Sequence, residues 1–185
     1  MKEEFNKPIK VNYDSDSFYK YAMGYYDSGL TLINILLDEN RYSELSRLND
    51  DFRKESIKLE EECNIYPIMF LFRQYLELMI KALYKEFDIK IQKNEFNTHK
   101  LSSLWPKLRE KLLERESEHE EELYGITEIL TDIVNKFSKI DDESYCFRYP
   151  ISKKGNPYFK KDKTYNLYEI RSDITEFDTL IHEFL

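Results

Sequence analysis

Apolar residues recur every three or four positions along most of the chain, which is the spacing of helices that bury one face. The first such pattern predicts a helix over about residues 16–38, because side-chain oxygens in residues 14–17 can cap its first turn. Residues 40–62 show the period only weakly, so a short helix and a linker are both open there. Three further patterns begin near Pro67, Leu101 and Leu123, and a last helix is predicted to be capped at Ser172 or Asp173.

Prolines refine these boundaries. Pro67 suits the first turn of a helix, where a missing amide hydrogen is harmless, so one helix is predicted from Pro67 to about Phe87. Pro106 falls inside the next pattern and should kink that helix or delay its start. Residues 88–97 and 140–165 lack the helical period and are predicted to be loops.

Together these elements predict one domain. The expected fold is an all-α bundle of about five helices over residues 14–185, with a long loop before the last helix and a polar arm over residues 1–13. A length of 185 residues suits a single domain. A hydrophobic content of 41% with only 4 Gly and 5 Pro excludes a disordered or loop-dominated chain.

Charge and cysteine content narrow the class. The net charge of -8 argues against a protein that coats nucleic acid broadly, but it leaves room for a local basic patch. The most apolar stretch, residues 65–83, carries three charged side chains, so we expect a soluble cytoplasmic protein with no membrane contact. Cys63 and Cys146 are expected to be free thiols. No metal or cofactor is expected, because the sequence has no HxxxH or HExxH pair and no Gly-rich phosphate loop.

The helix predicted from Pro67 is apolar nearly all round, and its charges form one stripe. They fall at Arg73, Glu77, Lys81 and Lys85, each four residues from the next. This spacing predicts an ion pair between Arg73 and Glu77. Two interpretations of the stripe are open. It is a narrow solvent-facing window with ordinary ion pairs, or it is one wall of a cleft, because charges on a buried helix are costly unless paired or used.

The segment FRQYLELMIKALYKEFDIKIQKNEFNTHKLSSLW resembles the HEPN superfamily of small prokaryotic helical domains. The resemblance covers roughly residues 66–110, and it rests on Glu77, on Lys81-Ala82-Leu83 and on His99-Lys100-Leu101. The longer run YPIMFLFRQYLEL, with the later FRYP at residues 147–150, is similar to a group of uncharacterised HEPN-like bacterial proteins.

The resemblance implies an all-α bundle, often a homodimer, with a role in antiviral defence or toxin-antitoxin systems. Many such relatives cut RNA without a metal, using an Arg followed after four to six residues by a His that act on the 2′-hydroxyl and the scissile phosphate. This chain departs from that pattern. Arg115 and His119 have three residues between them, Arg171 and His182 have ten, and no His follows Arg148 in its loop.

Residues 148–163 read RYPISKKGNPYFKKDK and reverse the charge balance of the chain, with Asp162 as their one acid. Aromatic rings interleave with the cations, a composition that binds single-stranded RNA through phosphate contacts and base stacking. The alternative is a solvated loop with a β-turn at residues 154–156. Arg148 is the strongest candidate phosphate contact, because a guanidinium group can hold a phosphate at two points. The basic residues are Arg148, Lys153, Lys154, Lys160, Lys161 and Lys163, and the rings are Tyr149, Tyr158 and Phe159.

Two functional hypotheses follow. The first is a HEPN-like module that engages RNA, with degenerate or rearranged ribonuclease chemistry and Arg73, His99 and Arg148 as candidate catalytic residues. Under this hypothesis His99 acts as a general base. The alternative for His99 is a helix-start residue whose ring bonds the backbone. The second is a non-enzymatic interaction or immunity-type domain whose acidic surface meets a cognate protein. The candidate substrate contacts are Lys81, Arg148, Tyr149, Lys153, Lys154, Lys160 and Lys161.

Overall fold

The computed structural model describes residues 18–38, 50–89, 97–114, 120–159 and 161–185. Within these ranges the chain forms five helices and no extended strand, which confirms the predicted all-α bundle. The polar arm over residues 1–13 and most of the loop predicted at 88–97 lie outside the described residues. The helices are α1 (Phe18–Leu37), α2 (Asp50–Glu86), α3 (Leu101–Leu113), α4 (Glu120–Asp141) and α5 (Leu167–His182).

Helix α2 is longer than its hydrophobic pattern predicts. It begins at Asp50, so the predicted start at Pro67 is wrong, and Pro67 lies inside the helix. A proline removes the bond to the carbonyl group four residues earlier, here that of Cys63. Both Cys63 and Pro67 are exposed, so water can bond that carbonyl and the helix continues. Helix α3 likewise begins at Leu101 and runs through Pro106, so the predicted delay is also wrong.

Helix α5 begins before the predicted caps at Ser172 and Asp173, which are therefore wrong. The N-cap is Asn166, whose side-chain oxygen accepts hydrogen bonds from the backbone amides of Tyr168 (3.0 Å) and Glu169 (3.3 Å). These bonds satisfy two of the amides that a helix start leaves unpaired. The added first turn carries Ile170, which already lies on the buried face.

The core is organised around the second half of α2. Helix α1 packs along α2, α3 and α4 pack against each other, and α5 contacts α1 and α4. Residues on nearly every side of α2 are fully buried, which explains its continuous apolar sequence. They include Phe72, Tyr75, Leu76, Met79, Ile80 and Leu83. In the described part of the chain, no helix combines the length and apolar composition that crossing a membrane requires.

Helices α1 and α2 pack tightly at Gly29. This residue is buried, and a methyl group added there would collide with the ring of Phe72. Gly24 lies on the same helix, is exposed, and has no atom within 4 Å of such a methyl group. The two positions therefore separate packing from helix propensity.

Gly29→Ala should lower the free energy of unfolding by about 1–2 kcal/mol, because overpacking outweighs the gain in helix propensity. Gly24→Ala should raise it by about 0.5–1 kcal/mol, because only the propensity gain applies. Urea titration of both variants measures the difference. Equal stabilisation by the two substitutions would show that α1 does not pack this closely on α2.

Candidate functional site

Arg73 lies at the centre of a buried polar network. Its side chain is fully buried, and its guanidinium group donates to the carboxylate of Glu77 (2.6 Å). It also donates to three backbone carbonyl groups: Asp141 (3.0 Å), Asp142 (2.7 Å) and His99. Arg73 thereby joins α2 to the end of α4 and to the segment that enters α3.

Glu77 completes the network. Its second carboxylate oxygen bonds the ammonium group of Lys81 (2.7 Å) and the Nδ1 atom of His99 (2.9 Å). Burial alone would raise the pKa of Glu77, but the bond from Lys81 and the positive charges of Arg73 and Lys81 lower it below its usual value. Glu77 is 1% exposed and Lys81 is 5% exposed, so this part of the stripe is neither a solvent window nor an open cleft wall.

His99 forms the exposed edge of the network, with 58% of its side chain accessible. Its ring bonds Glu77 and its carbonyl group bonds Arg73, so the alternative in which the ring bonds the backbone is not observed. The start of α3 is instead held by Asp142, whose carboxylate accepts from the amide (2.8 Å) and hydroxyl (2.6 Å) of Ser102. Burial raises the pKa of Asp142, but these bonds and a third from Ser138 lower it overall.

Arg148 lies outside this network. It is exposed, its Nε atom donates to the carbonyl group of Ser144, and its guanidinium group lies 5.3 Å, 5.7 Å and 5.6 Å from the ring centres of Tyr145, Phe70 and Tyr149. Because Arg73 is fully buried, a ligand that contacts Arg148 cannot also contact Arg73. The structure therefore does not bring Arg73, His99 and Arg148 together in one open cleft.

Two cavities lie between α2 and the segment that follows α4, and they share Tyr66 and Phe159. We call the pair the Tyr66 groove. The first lobe, of about 420 Å³, is lined by Tyr66, Cys146, Phe147, Arg148, Tyr149, Pro150 and Phe159. The second lobe, of about 560 Å³, is lined by Glu62, Ile65, Tyr66, Phe159, Lys161, Asp162, Lys163 and Tyr165.

The sequence-predicted basic segment contributes to this groove only in part. Arg148, Tyr149 and Lys161 line it, while Lys160 lies outside the described residues. Lys153 and Lys154 instead occupy an exposed turn in which the amide of Gly155 bonds the carbonyl group of Ser152 at 2.9 Å. That turn lies one residue before the predicted β-turn at residues 154–156, and the positive φ of 79° suits glycine.

Tyr66 was not singled out as a site residue by sequence reasoning. It is 47% exposed on α2 and faces the groove beside the buried ring of Phe147, at 6.5 Å between ring centres. The available signal was an aromatic residue two positions after Asn64, where the polar run ends, and before the apolar spacing that begins at Ile68. The spacing of apolar residues around Tyr66 could not predict its contact with residues 146–150, because that segment is distant in the sequence.

The two cysteine thiols differ in exposure and therefore in reactivity. Cys63 is exposed on α2, one helical turn before Tyr66. Cys146 is buried in the wall of the first lobe, and burial and the charge of Asp141 raise its pKa to about 12. At neutral pH Cys63 is therefore the reactive thiol of the two, because the thiolate is the nucleophile.

The Arg and His pairs compared with the ribonuclease spacing do not form a site in the described residues. Arg171 donates to Asn34 (3.2 Å), while His182 bonds the hydroxyl of Tyr19 (3.0 Å). Arg115 and His119 lie outside the described residues. Within the described ranges, no group of three His, Cys, Asp or Glu side chains is arranged to hold a metal ion.

A comparison of the chain with protein-family models, with curated proteins and with solved structures finds no match.

Glu77→Ala should lower the free energy of unfolding at neutral pH by about 3 kcal/mol, because it leaves Arg73 and Lys81 buried without their carboxylate. The control is Glu62→Ala on the same helix. Glu62 pairs with Lys58 at the same spacing, at 3.7 Å, but the two side chains are 61% and 76% exposed. That exposed pair should be worth less than about 0.5 kcal/mol.

The stability that Glu77→Ala loses should also depend on pH, and the lowered pKa of Glu77 sets the direction of that dependence. A carboxylate whose pKa is lowered by folding adds stability above its unfolded pKa, and this contribution is lost as the pH falls through the folded pKa. The difference between wild type and Glu77→Ala should therefore shrink in acid. Denaturant titrations at neutral and acidic pH test this, and equal small effects of both substitutions at neutral pH would contradict a buried network.

Proposed function

We propose that this chain is an RNA-binding helical module of the HEPN-like type, belonging to a bacterial defence or toxin-antitoxin system. It contacts a single strand through the Tyr66 groove and the basic segment beside it. The observation that carries the proposal is the groove itself, in which exposed rings and exposed cations share two adjoining lobes. Stacking on rings and charge pairing with phosphates are the two interactions that bind single strands.

Exposure and charge support this role. All five described basic residues of the segment are exposed, and Tyr149 is 53% exposed. Their positive charge is local, because the whole chain carries a net charge of -8. Such a protein binds polyanions at one place rather than along its surface. The basic residues are Arg148, Lys153, Lys154, Lys161 and Lys163.

The buried network has a structural role in this proposal. Four of the five N–H groups of the Arg73 guanidinium are bonded to Glu77 and to three backbone carbonyl groups. A group that stabilises a scissile phosphate must reach it, and Arg73 has no accessible surface. A protein that binds RNA without using Arg73 for catalysis is consistent with a sequence that lacks the Arg and His spacing of the ribonucleases. The homodimer implied by the HEPN resemblance is not required, because the groove is built from one chain.

The second hypothesis, a non-enzymatic domain that binds a protein partner, has one favourable observation. Glu62 and Asp162 also line the second lobe and offset the charges of Lys161 and Lys163 there. Mixed charge with exposed rings suits a protein surface as well as RNA. Binding of RNA at low salt separates the two hypotheses.

A salt titration tests the proposal. Replacing Lys153, Lys154, Lys161 and Lys163 with Gln should weaken binding of a labelled single-stranded RNA. The logarithmic salt slope should also flatten, by about 0.7 for each lost phosphate contact. The melting temperature should stay unchanged, because exposed lysines contribute little to folding.

The matched control replaces Lys20, Lys54, Lys111 and Lys139 with Gln. These residues are exposed on α1, α2, α3 and α4, and the substitution changes the net charge by the same amount. The control should leave the slope unchanged, because the bound phosphates lie elsewhere. Equal slopes in the two variants would mean that net charge alone drives binding. No binding by the wild type at low salt would contradict the proposal and favour the protein-interaction hypothesis.

A further inference from the structure

We infer that the first lobe of the Tyr66 groove holds a single unpaired nucleobase, stacked against Tyr66, while Arg148 holds the adjoining phosphate. This inference rests on the proposed function and specifies its ligand: a strand with splayed bases, rather than duplex RNA. It follows from the shape of the lobe, from its ring arrangement and from the way Arg148 is fixed.

The shape of the lobe favours an inserted group over surface contact with a helix. The lobe is recessed between α2 and residues 146–150, and both lobes fall within the range of about 300–1,000 Å³ typical of small-molecule sites. Bases in a duplex are stacked and paired, so their faces cannot enter such a recess unless they are splayed out. The ligand must therefore present an unpaired base.

The walls of the lobe are rings. The buried ring of Phe147 lies 5.5 Å from Phe159, 6.0 Å from Tyr165 and 6.5 Å from Tyr66. Phe147 thus supports the two rings that both lobes share, Tyr66 and Phe159. Of these two shared rings, Phe159 is partly buried and Tyr66 is 47% exposed, so Tyr66 is the more accessible to a flat ligand; Tyr149, which is 53% exposed, lines the first lobe only and lies beside Arg148.

Among the described residues that line this lobe, Arg148 is the one cation, and a hydrogen bond and three neighbouring rings orient it. Its Nε atom bonds the carbonyl group of Ser144, and three rings surround its guanidinium plane. Among the described residues, its two terminal nitrogens have no hydrogen-bond acceptor. A guanidinium group held in this way can bind a phosphate with two parallel bonds at a small loss of side-chain entropy.

The two lobes differ in the residues that line them, and this difference indicates which part of the strand each lobe holds. The first lobe combines rings and a proline with Arg148, whereas the second contains two lysines and two acids. A base suits the first lobe, and the continuing backbone suits Lys161 and Lys163, which line the second. The acids Glu62 and Asp162 disfavour a phosphate close to their own carboxylates.

The test uses a short uridine oligonucleotide with one central 2-aminopurine, whose fluorescence is quenched when the base stacks on a ring. Wild type should quench the probe. Tyr66→Ala should remove the quenching and weaken affinity roughly 5- to 150-fold, the range expected for losing one base stack. Tyr66→Phe should behave as wild type, because it keeps the ring.

Tyr168→Ala is the matched control. Tyr168 is also an exposed tyrosine, 57% accessible, and it lies beside an arginine, Arg171, at 6.0 Å. Its loss should leave both quenching and affinity unchanged. The same oligonucleotide annealed to its complement should bind more weakly than the single strand in a competition assay, and affinity is the readout here because 2-aminopurine is already quenched by its stacked neighbours in a duplex.

A second measurement needs no substitution. Cys63 lies one helical turn from Tyr66, so a bound strand should slow its alkylation, while the buried Cys146 stays unreactive. Binding with a normal salt slope but without quenching or Cys63 protection would overturn the inserted base and leave the proposed function standing. Absence of binding at low salt would overturn both. Equal binding of duplex and single strand would overturn the inference alone.

Discussion

Arg73 bonds four groups that come from three separate parts of the chain. Glu77 is four residues away, His99 is 26 residues away, and Asp141 and Asp142 are 68 and 69 residues away. A buried guanidinium group loses its hydration, and it is tolerated only where its hydrogen bonds and charge are satisfied. These partners satisfy it, and they thereby fix the end of α4 and the entry to α3 against the central helix α2.

The same junction positions the groove. Asp141 accepts from the backbone amide of Tyr145 (2.8 Å), and Ser144 adopts a positive φ of 62°, which turns the chain sharply after α4. The carbonyl group of Ser144 then holds Arg148 through its Nε atom. The buried network therefore determines where the first lobe and its cation lie, although none of its side chains lines either lobe. On the proposed function, the buried charges around Arg73 support the fold, and the exposed cations beside the Tyr66 groove bind RNA.

Sequence periodicity predicted the helices because each buries one apolar face, and burial repeats every three or four residues. Their boundaries were harder, because Pro67 is tolerated on an exposed face and Asn166 caps α5 about two turns before the predicted caps at Ser172 or Asp173. The spacing of Arg73 and Glu77 predicted their ion pair, which the structure contains. It could not predict the carbonyl partners of Arg73, since backbone groups leave no mark in a sequence. Tyr66 was missed for a related reason, because its partners lie about 80 residues away, near Phe147.

On the proposed function, Arg148 contacts the RNA and the buried Arg73 does not. The most direct test follows the side-chain N–H signals of both arginines by NMR while single-stranded RNA is added, with Arg148→Lys and Arg73→Lys used for assignment. The buried and bonded Arg73 signal should stay in place, because its donors are already occupied, while the Arg148 signal should shift in proportion to binding. A shift of the Arg73 signal with an unchanged Arg148 signal would contradict the account.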